Sequence, residues 1–343
     1  ESFMAHEVET MAYAGQVPWH GLGKKVSTDM TPDQMADEAG LNWTVTKRRA
    51  YTATENASNI FKPDLDSLVM VPDHYFLMRD DNNGILSHCG ENYVPFQNKE
   101  VMSFFKKFTE AGDMQMETAG SLKEGREIWG LAKLRDGFTL PGGDEIEGYL
   151  LLNNSHKAGK ALSIMFTPIR VVCNNTLTLA LNQSGQKFRV LHLQMFDEEI
   201  MNAAEEALGL SDKQMETFTE QANFLSSKKA TDIQVANYVA ELFQPNILLE
   251  RGKATHQDNL PPLRDELKHS ANSVLEAIET SPGAGLQSAR GTWWGALNGV
   301  TYVVDHQGRG NSRDNTLHSA WFGSGANRKT KALQKAVEYA RAA

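Results

Sequence analysis

The stretch from Glu145 to Leu193 constrains the fold of this chain most, because it contains the densest apolar sequence. Two apolar runs, at 146–152 and 161–166, flank the polar, basic and glycine residues from Asn153 to Lys160. Apolar runs separated by such a segment are typical of two strands joined by a turn. We therefore predict a β-hairpin whose strands lie in the core and whose polar tip faces solvent.

A buried helix is predicted directly after the hairpin. Thr167 has the residue type of an N-cap, and Pro168 suits the first helical turn. At helical spacing, Cys173, Leu177 and Leu181 then share one face. We expect this face to pack on the hairpin, with a further strand behind it.

Turn and cap signals place other elements along the chain. Residues 31–39 begin with Thr-Pro and predict a short helix, and residues 98–112 have the spacing of an amphipathic helix. Asn83-Gly84 is a strong hairpin-turn signal between two short β runs. Two strands are also predicted on either side of the basic residues 47–49.

These elements predict an α+β fold with a mixed or antiparallel β-sheet, a hairpin and a packed helix, followed by a largely helical C-terminal part. Residues 1–3 precede the first methionine and resemble a vector remnant. We assign residues 4–195 to an α+β core domain and residues 196–343 to a helical C-terminal region.

Composition is that of an ordinary globular protein, with a net charge of −9 that argues against binding nucleic acid by bulk charge. Basic residues nevertheless cluster near the C-terminus. Cys89 and Cys173 are the only cysteines, and we expect reduced core thiols. No apolar run approaches the roughly eighteen residues of a membrane span, and no signal peptide is recognisable, so neither a membrane nor a secreted protein is expected.

Six phrases together carry a family resemblance: MAHEVETMAYAGQVPWHGLG, ETAGSLKEGREIWGLAKL, YLLLNNSHKAGKAL, TPIRVVCNNTLTLAL, GTWWGALNGVTYVVDH and LHSAWFGSGANRKTKAL. With them the chain resembles the phage/plasmid-like protein family, a domain of unknown function found in phages, prophages and plasmids. The resemblance implies a mobile-element origin and a bacterial cytoplasm. It brings no established activity and no catalytic residue.

A weaker resemblance lies in the order of elements. Strand, hairpin, helix and strand over residues 126–193 are similar to the core of the single-strand annealing proteins of phage recombination. That similarity implies a homo-oligomer, as a ring or filament, which holds a single strand in a basic groove beside the hairpin.

Basic and amide side chains that could neutralise phosphates define the candidate nucleic-acid contacts. These are Lys47, Arg48, Arg49, Asn153, Asn154, His156, Lys157, Lys160, Arg170, Arg328, Lys329 and Lys331. Each group has a structural alternative. The hairpin tip can be a solvated turn, and residues 47–49 a solvated strand edge. Arg170 can pair with a carboxylate, and the C-terminal cations can complement a helix dipole.

Metal and cofactor chemistry has little support in the sequence. No closely spaced His or Cys pair, Walker loop, dinucleotide fingerprint or Gly-x-Ser-x-Gly elbow occurs. We therefore predict no metal, no cofactor and no catalytic residue. The enzyme alternative is a metal-dependent nuclease, or another hydrolase, that uses Asp64, Asp66 or Asp305 with a histidine.

The leading hypothesis is a mobile-element DNA-metabolism protein that binds single-stranded DNA and promotes annealing as a homo-oligomer. A third hypothesis is an interaction protein that modulates a host factor. The acidic helix predicted within residues 197–220 would then be its partner surface.

Overall fold

A computed structural model describes residues 8–15, 22–54, 64–177, 188–193, 198–253, 261–307 and 316–342. The vector remnant predicted at 1–3 lies outside these residues. Two β-sheets come first along the chain and helices follow, so the predicted α+β class and the helical C-terminal part are confirmed.

The larger sheet is antiparallel except at one edge. Its order is β10-β9-β8-β7-β6-β1-β2, β11 also pairs with β9, and among the strand pairs that the structure describes only β1–β2 is parallel. Its strands are β1 (Val8–Tyr13), β2 (Lys24–Lys25), β6 (Met114–Leu122), β7 (Glu127–Leu140), β8 (Asp144–Ser155), β9 (Leu162–Arg170), β10 (Asn175–Thr176) and β11 (Phe188–Val190). The smaller sheet, β3-β4-β5, consists of β3 (Val45–Ala53), β4 (Leu68–Arg79) and β5 (Ile85–Gly90).

Three short helices precede the larger sheet's long strands, and the other helices follow the sheet. The first three are α1 (Pro32–Glu38), α2 (Asn98–Ser103) and α3 (Lys106–Ala111). The C-terminal helices are α4 (Glu198–Ser227), α5 (Asp232–Phe243), α6 (Pro245–Lys253), α7 (Leu263–Glu266), α8 (Ser270–Thr280), α9 (Trp293–His306), α10 (Thr316–Phe322) and α11 (Ser324–Ala342). No helix in these described ranges is long and apolar enough to cross a membrane.

The predicted hairpin is confirmed as β8 and β9, which pair in register with Leu151 opposite Met165. The helix predicted after it is wrong. β9 continues through Thr167 and Pro168, and the chain then turns and pairs back as β10. Pro168 is tolerated because its carbonyl accepts from Leu177, so its missing N–H faces the short β10 and not β8. Leu181, assigned to the same helix, lies outside the described residues.

The larger sheet is covered on both faces, because its strands alternate apolar side chains between them. Leu150 and Leu152 point into the main core, which α1–α3 and the C-terminal helices share. On the other face, Leu151 and Trp129 pack in a second apolar cluster that includes Trp321 of α10. The sheet is therefore a middle layer, and its second face is only partly covered by a short helix.

A buried ion pair ties the sheet to the helices. Asp144 of β8 accepts hydrogen bonds from Arg170 Nε at 2.7 Å and Arg170 Nη2 at 2.8 Å. The same carboxylate accepts from Ser288 Oγ at 2.6 Å and from Trp294 Nε1 at 3.0 Å. This arrangement confirms the alternative in which Arg170 pairs with a carboxylate.

Candidate functional site

The outer face of the sheet β3-β4-β5 carries a row of three side chains, one from each strand. Arg48 lies opposite Phe76, and Phe76 lies opposite His88. Directly opposed residues in antiparallel strands place their side chains on one face with Cβ atoms about 5 Å apart. We call Arg48, Phe76 and His88 the cross-strand row.

The cross-strand row faces solvent because the alternate residues of the same strands fill the core. Val45, Leu77 and Cys89 point inward and are buried. Arg48 and His88 are exposed, and the ring of Phe76 belongs to neither apolar cluster. An aromatic ring between a guanidinium and an imidazole thus lies on an open sheet face.

The three basic residues at 47–49, predicted as nucleic-acid contacts between two strands, lie within one continuous strand, β3. Alternation sends only Arg48 outward. Lys47 lies over the ring of Tyr75, with Nζ 4.6 Å from the centroid, and donates to the carbonyl of Tyr93 at 3.2 Å. Arg49 Nη1 donates to Met70 Sδ at 3.1 Å. Lys47 therefore has a structural role, while Arg48 remains available to a ligand.

The prediction that the hairpin tip faces solvent is wrong for Asn153, Asn154 and His156. Asn153 and Asn154 lie within β8 and are buried, and His156 directly after the strand is completely buried. Lys157 is half-buried and Lys160 is exposed. β8 extends three residues beyond the apolar run that ends at Leu152, and this extension carries the polar residues into the interior.

The predicted basic contacts outside the hairpin also divide into buried and exposed residues. Arg170 and Lys329 are buried, each against a carboxylate, so neither has a surface that could reach a nucleic acid. Arg328 and Lys331 are exposed on α11, and the guanidinium of Arg328 lies 4.9 Å from the ring centroid of Phe243. A role in nucleic-acid binding for these two residues stays a prediction.

The carboxylates of the nuclease alternative do not come together. Asp64 and Asp66 are exposed at a single 3₁₀ turn, whereas Asp305 is buried in an ion pair with Lys329. Within the described ranges, no three His, Cys, Asp or Glu side chains are arranged to hold a metal ion.

Sequence reasoning missed a second group of polar side chains, on the outer face of the larger sheet. Lys133 Nζ donates to Glu147 Oε1 at 2.5 Å, and the Tyr149 hydroxyl donates to Glu147 Oε2 at 2.6 Å. Glu117 lies beside them, and burial raises its pKa to about 7, with Lys133 opposing the shift and Glu147 adding to it. We call these four residues the outer acid–base cluster.

A β-bulge positions Glu117. The register of β6 and β7 shifts between Met116 and Thr118, so Glu117 has no direct partner across the ladder. Bulges re-aim single side chains and are frequent next to active sites. The sequence offers no local signal for this bulge, because Met-Glu-Thr is an ordinary strand sequence.

Among families of known proteins, a domain of unknown function (DUF932) matches residues 85–342, which is well over half of the chain. The match begins at β5 and covers the larger sheet from β6 onward together with the C-terminal helices. No curated protein and no solved structure matches the chain.

Proposed function

We propose that this chain, which belongs to the DUF932 family of unknown function, binds single-stranded nucleic acid on the cross-strand row and promotes the annealing of complementary strands. The observation that carries the proposal is the placement of Phe76 on an open sheet face between two groups that can carry positive charge. Such a face resembles the stacking platforms of single-strand binders.

Each member of the row has a defined contribution. The ring of Phe76 offers a surface on which any base can stack, at about 1–3 kcal/mol per base. Arg48 forms no ion pair with a described carboxylate, so its guanidinium can reach a phosphate or a base. His88 adds a further donor at the third strand. Stacking and phosphate contact together favour binding without sequence preference.

The test is fluorescence anisotropy of a labelled oligothymidylate with wild type, Phe76→Leu and Arg48→Gln. We expect about tenfold weaker binding for Phe76→Leu, since leucine keeps the apolar contact and removes the stacking surface. Arg48→Gln should also reduce the slope of log affinity against log salt concentration by about 0.7, the value for one phosphate contact on a single strand. Arg135→Gln, an exposed cation away from the row, is the matched control.

Two results would contradict nucleic-acid binding at this row. One is a wild-type anisotropy that stays flat as protein concentration rises. The other is an equal loss in Arg135→Gln and Arg48→Gln, which would assign the effect to overall charge.

Annealing as a homo-oligomer, in the DNA metabolism of a mobile element, is the finer part of the proposal. The resemblance to phage and plasmid proteins supports it, together with the β8–β9 hairpin. We expect the wild-type chain to accelerate pairing of complementary labelled strands, and light scattering to show a mass increase when single strands are added. Binding without either effect would leave a single-strand binder and remove annealing.

The outer acid–base cluster favours a second candidate, a hydrolase that uses a pair of carboxyl groups. Glu147 is held by a cation and a hydroxyl, whereas the pKa of Glu117 is raised to about 7 by burial. Two neighbouring carboxyl groups in such different environments suit the roles of ionised carboxylate and proton donor. Lys133 and Glu147 are about one third exposed, so a substrate can reach them.

This candidate is tested by the hydrolysis of p-nitrophenyl esters and glycosides as a function of pH. We expect Glu117→Gln to abolish turnover, and Glu110→Gln, an exposed control on α3, to leave it unchanged. Turnover that survives in Glu117→Gln would place the chemistry elsewhere.

A further inference from the structure

Unpartnered polar atoms concentrate at one end of the main core. Five side chains there are between 0% and 8% exposed, yet six of their nitrogen and oxygen atoms have no hydrogen-bond partner in the described structure. The atoms are Trp43 Nε1, Tyr93 Oη, Asn154 Nδ2, Asn154 Oδ1, His156 Nδ1 and His192 Nε2. Buried polar groups almost always have partners, so this inner polar cluster requires an explanation.

The hydrogen bonds around His156 fix which of its nitrogens carries the proton. Asn98 Nδ2 donates to the carbonyl of Trp43 at 3.1 Å, so Asn98 Oδ1 is an acceptor. That oxygen lies 2.9 Å from His156 Nε2, which must therefore be the donor. Nδ1 of His156 consequently holds an unshared lone pair in the interior.

His192 is arranged in the same way. Its Nδ1 lies 3.2 Å from the carbonyl of Val94, which can only accept, so Nδ1 donates and Nε2 keeps its lone pair. Both imidazoles thus donate their N–H to acceptors in the segment 94–98, namely the Val94 carbonyl and Asn98 Oδ1. Each free nitrogen lies on the opposite side of its ring from the donating nitrogen, so both lone pairs point away from that segment.

The inner polar cluster is uncharged. Burial lowers the pKa of His156 to about 3 and that of His192 to about 4, so both rings are neutral over the physiological range. Arg79, whose charge also acts on His156, is paired with Glu9 and Asp81. No three metal-ligating side chains come together in the described ranges. A divalent metal ion in this uncharged cluster would also have no negative charge to compensate its own.

Aromatic rings form the walls of the cluster. The ring centroids of Tyr93 and Phe96 lie 4.9 and 4.2 Å from that of His192, both in stacked arrangements. Trp43 meets His156 edge-on, with centroids 5.5 Å apart. Flat apolar walls with a few fixed donors and acceptors are typical of sites for small organic molecules.

We propose that the inner polar cluster is a binding site for a small, neutral, planar heterocycle that carries alternating N–H and C=O groups, as a free nucleobase does. N–H groups of such a ligand would satisfy the two imidazole lone pairs. Its carbonyl groups would accept from the indole N–H of Trp43 and the amide of Asn154. The site is independent of the cross-strand row, which lies on the outer face of the smaller sheet.

The first experiment looks for a resident molecule, because a site this enclosed exchanges its occupant slowly. Full-length protein purified under native conditions is denatured, and the small-molecule extract is examined by mass spectrometry. Calorimetry of the same preparation with uracil and with hypoxanthine follows. We expect a stoichiometric heterocycle in the extract, or saturable one-to-one binding of at least one of the two bases.

Two variants and a control assign the binding to the cluster. Asn154→Leu and His156→Phe should weaken binding at least tenfold, whereas His74→Phe, at an exposed histidine outside both proposed sites, should leave it unchanged. If either variant fails to fold, ¹⁵N-labelled wild type replaces it. Its histidine spectrum should show protons on His156 Nε2 and His192 Nδ1, and the free nitrogens should shift when the base is added.

An empty extract and no binding of either base would overturn the proposal and assign the six atoms to bound water only. Unchanged histidine nitrogen signals in the presence of a bound base would overturn it as well, because the ligand would then lie elsewhere.

Discussion

Glu117 illustrates how a single residue can acquire reactivity from its position. The bulge in β6 removes it from the strand ladder, and no described side chain forms a hydrogen bond with its carboxyl group. Burial therefore opposes its ionisation more than Lys133 favours it, which is why its pKa rises to about 7. A carboxyl group that changes charge near neutral pH is a functional candidate on physical grounds.

The first prediction concerns the pH dependence of stability in Glu117→Gln. Because the folded-state pKa exceeds the ordinary value of 4.5, the folded state holds the proton more tightly. Wild-type stability must then fall as pH rises from about 5 to about 7. We expect the variant to lose this component, about 1–2 kcal/mol after allowance for solvent screening, in urea unfolding at several pH values.

Glu110→Gln serves as the control for this measurement, because that carboxylate is exposed. A wild-type pH profile that runs parallel to that of Glu117→Gln would show that Glu117 titrates normally.

Residue chemistry could be predicted from the sequence more readily than residue position. The basic segment 47–49 was recognisable, but which cation faces solvent depends on strand alternation and on the register set by the Asn83-Gly84 turn. Asn154 and His156 have the composition of a turn, and nothing local distinguishes a solvated tip from a buried strand end. That distinction depends on Trp43 and Asn98, which are distant in sequence.

At the scale of elements, two Thr-Pro pairs had opposite outcomes. Thr31-Pro32 begins α1 as predicted, and Gln34 completes a capping box with Thr31. Thr167-Pro168 has Arg170 at the corresponding position, which cannot accept from the backbone N–H, and it lies in β9. The Thr-Pro signal thus predicted a helix where a residue three positions after the threonine could accept from the N-cap N–H. Where that residue was an arginine, pairing with β8 determined the conformation.

Helix α11 is fixed to the rest of the fold by a buried lysine. Lys329 Nζ donates to Asp305 Oδ1 of α9 at 2.5 Å and to Thr176 Oγ1 of β10 at 2.7 Å. The backbone N–H of Thr176 donates to the other oxygen of Asp305 at 2.7 Å. Three elements therefore meet at one ion pair, and burial lowers the pKa of Lys329 despite the nearby carboxylate.

The second prediction is that Lys329→Met destabilises the protein by about 3–5 kcal/mol, because Asp305 is left as an uncompensated buried charge. The double variant Lys329→Met/Asp305→Asn should recover part of the loss, since asparagine removes the charge and its oxygen can still accept from Thr176. Chemical denaturation of both variants measures the difference. A double variant less stable than Lys329→Met would show that the charge of Asp305 is not the cause.

For the whole molecule, the predicted boundary near residue 195 follows a change of secondary structure and stays a prediction of chain organisation. The main apolar core does not stop there. Leu150 of β8 and Val300 of α9 belong to the same buried cluster, and the family match also runs across the boundary. Sequence periodicity indicates the class of each segment but not which segments share a core, because that depends on contacts far apart in the chain.

The Asp144–Arg170 pair gives this shared core a testable consequence. Arg170 also donates to the carbonyl of Gly283 at 2.9 Å, so the pair joins β8 and β9 to the segment before α9. Arg170→Met leaves Asp144 buried without its cation, and we expect a loss of about 3–5 kcal/mol. Arg170→Met/Asp144→Asn should restore part of it, because the amide removes the charge and its oxygen can still accept from Ser288 or Trp294. Arg126→Gln is the control. Arg126 Nη2 lies 3.8 Å from Glu124 Oε2 and both side chains are exposed, so its loss should change stability by less than about 0.5 kcal/mol.

If sheet and helices form one cooperative unit, tryptophan fluorescence and far-ultraviolet circular dichroism should give unfolding midpoints that agree with each other in wild type. The two signals should also agree with each other in each variant, although the shared midpoint differs between variants. Trp294 reports on the junction directly, because its indole donates to Asp144. Two separated transitions, with only the first shifted by Arg170→Met, would instead show that the strands and the C-terminal helices unfold as independent units.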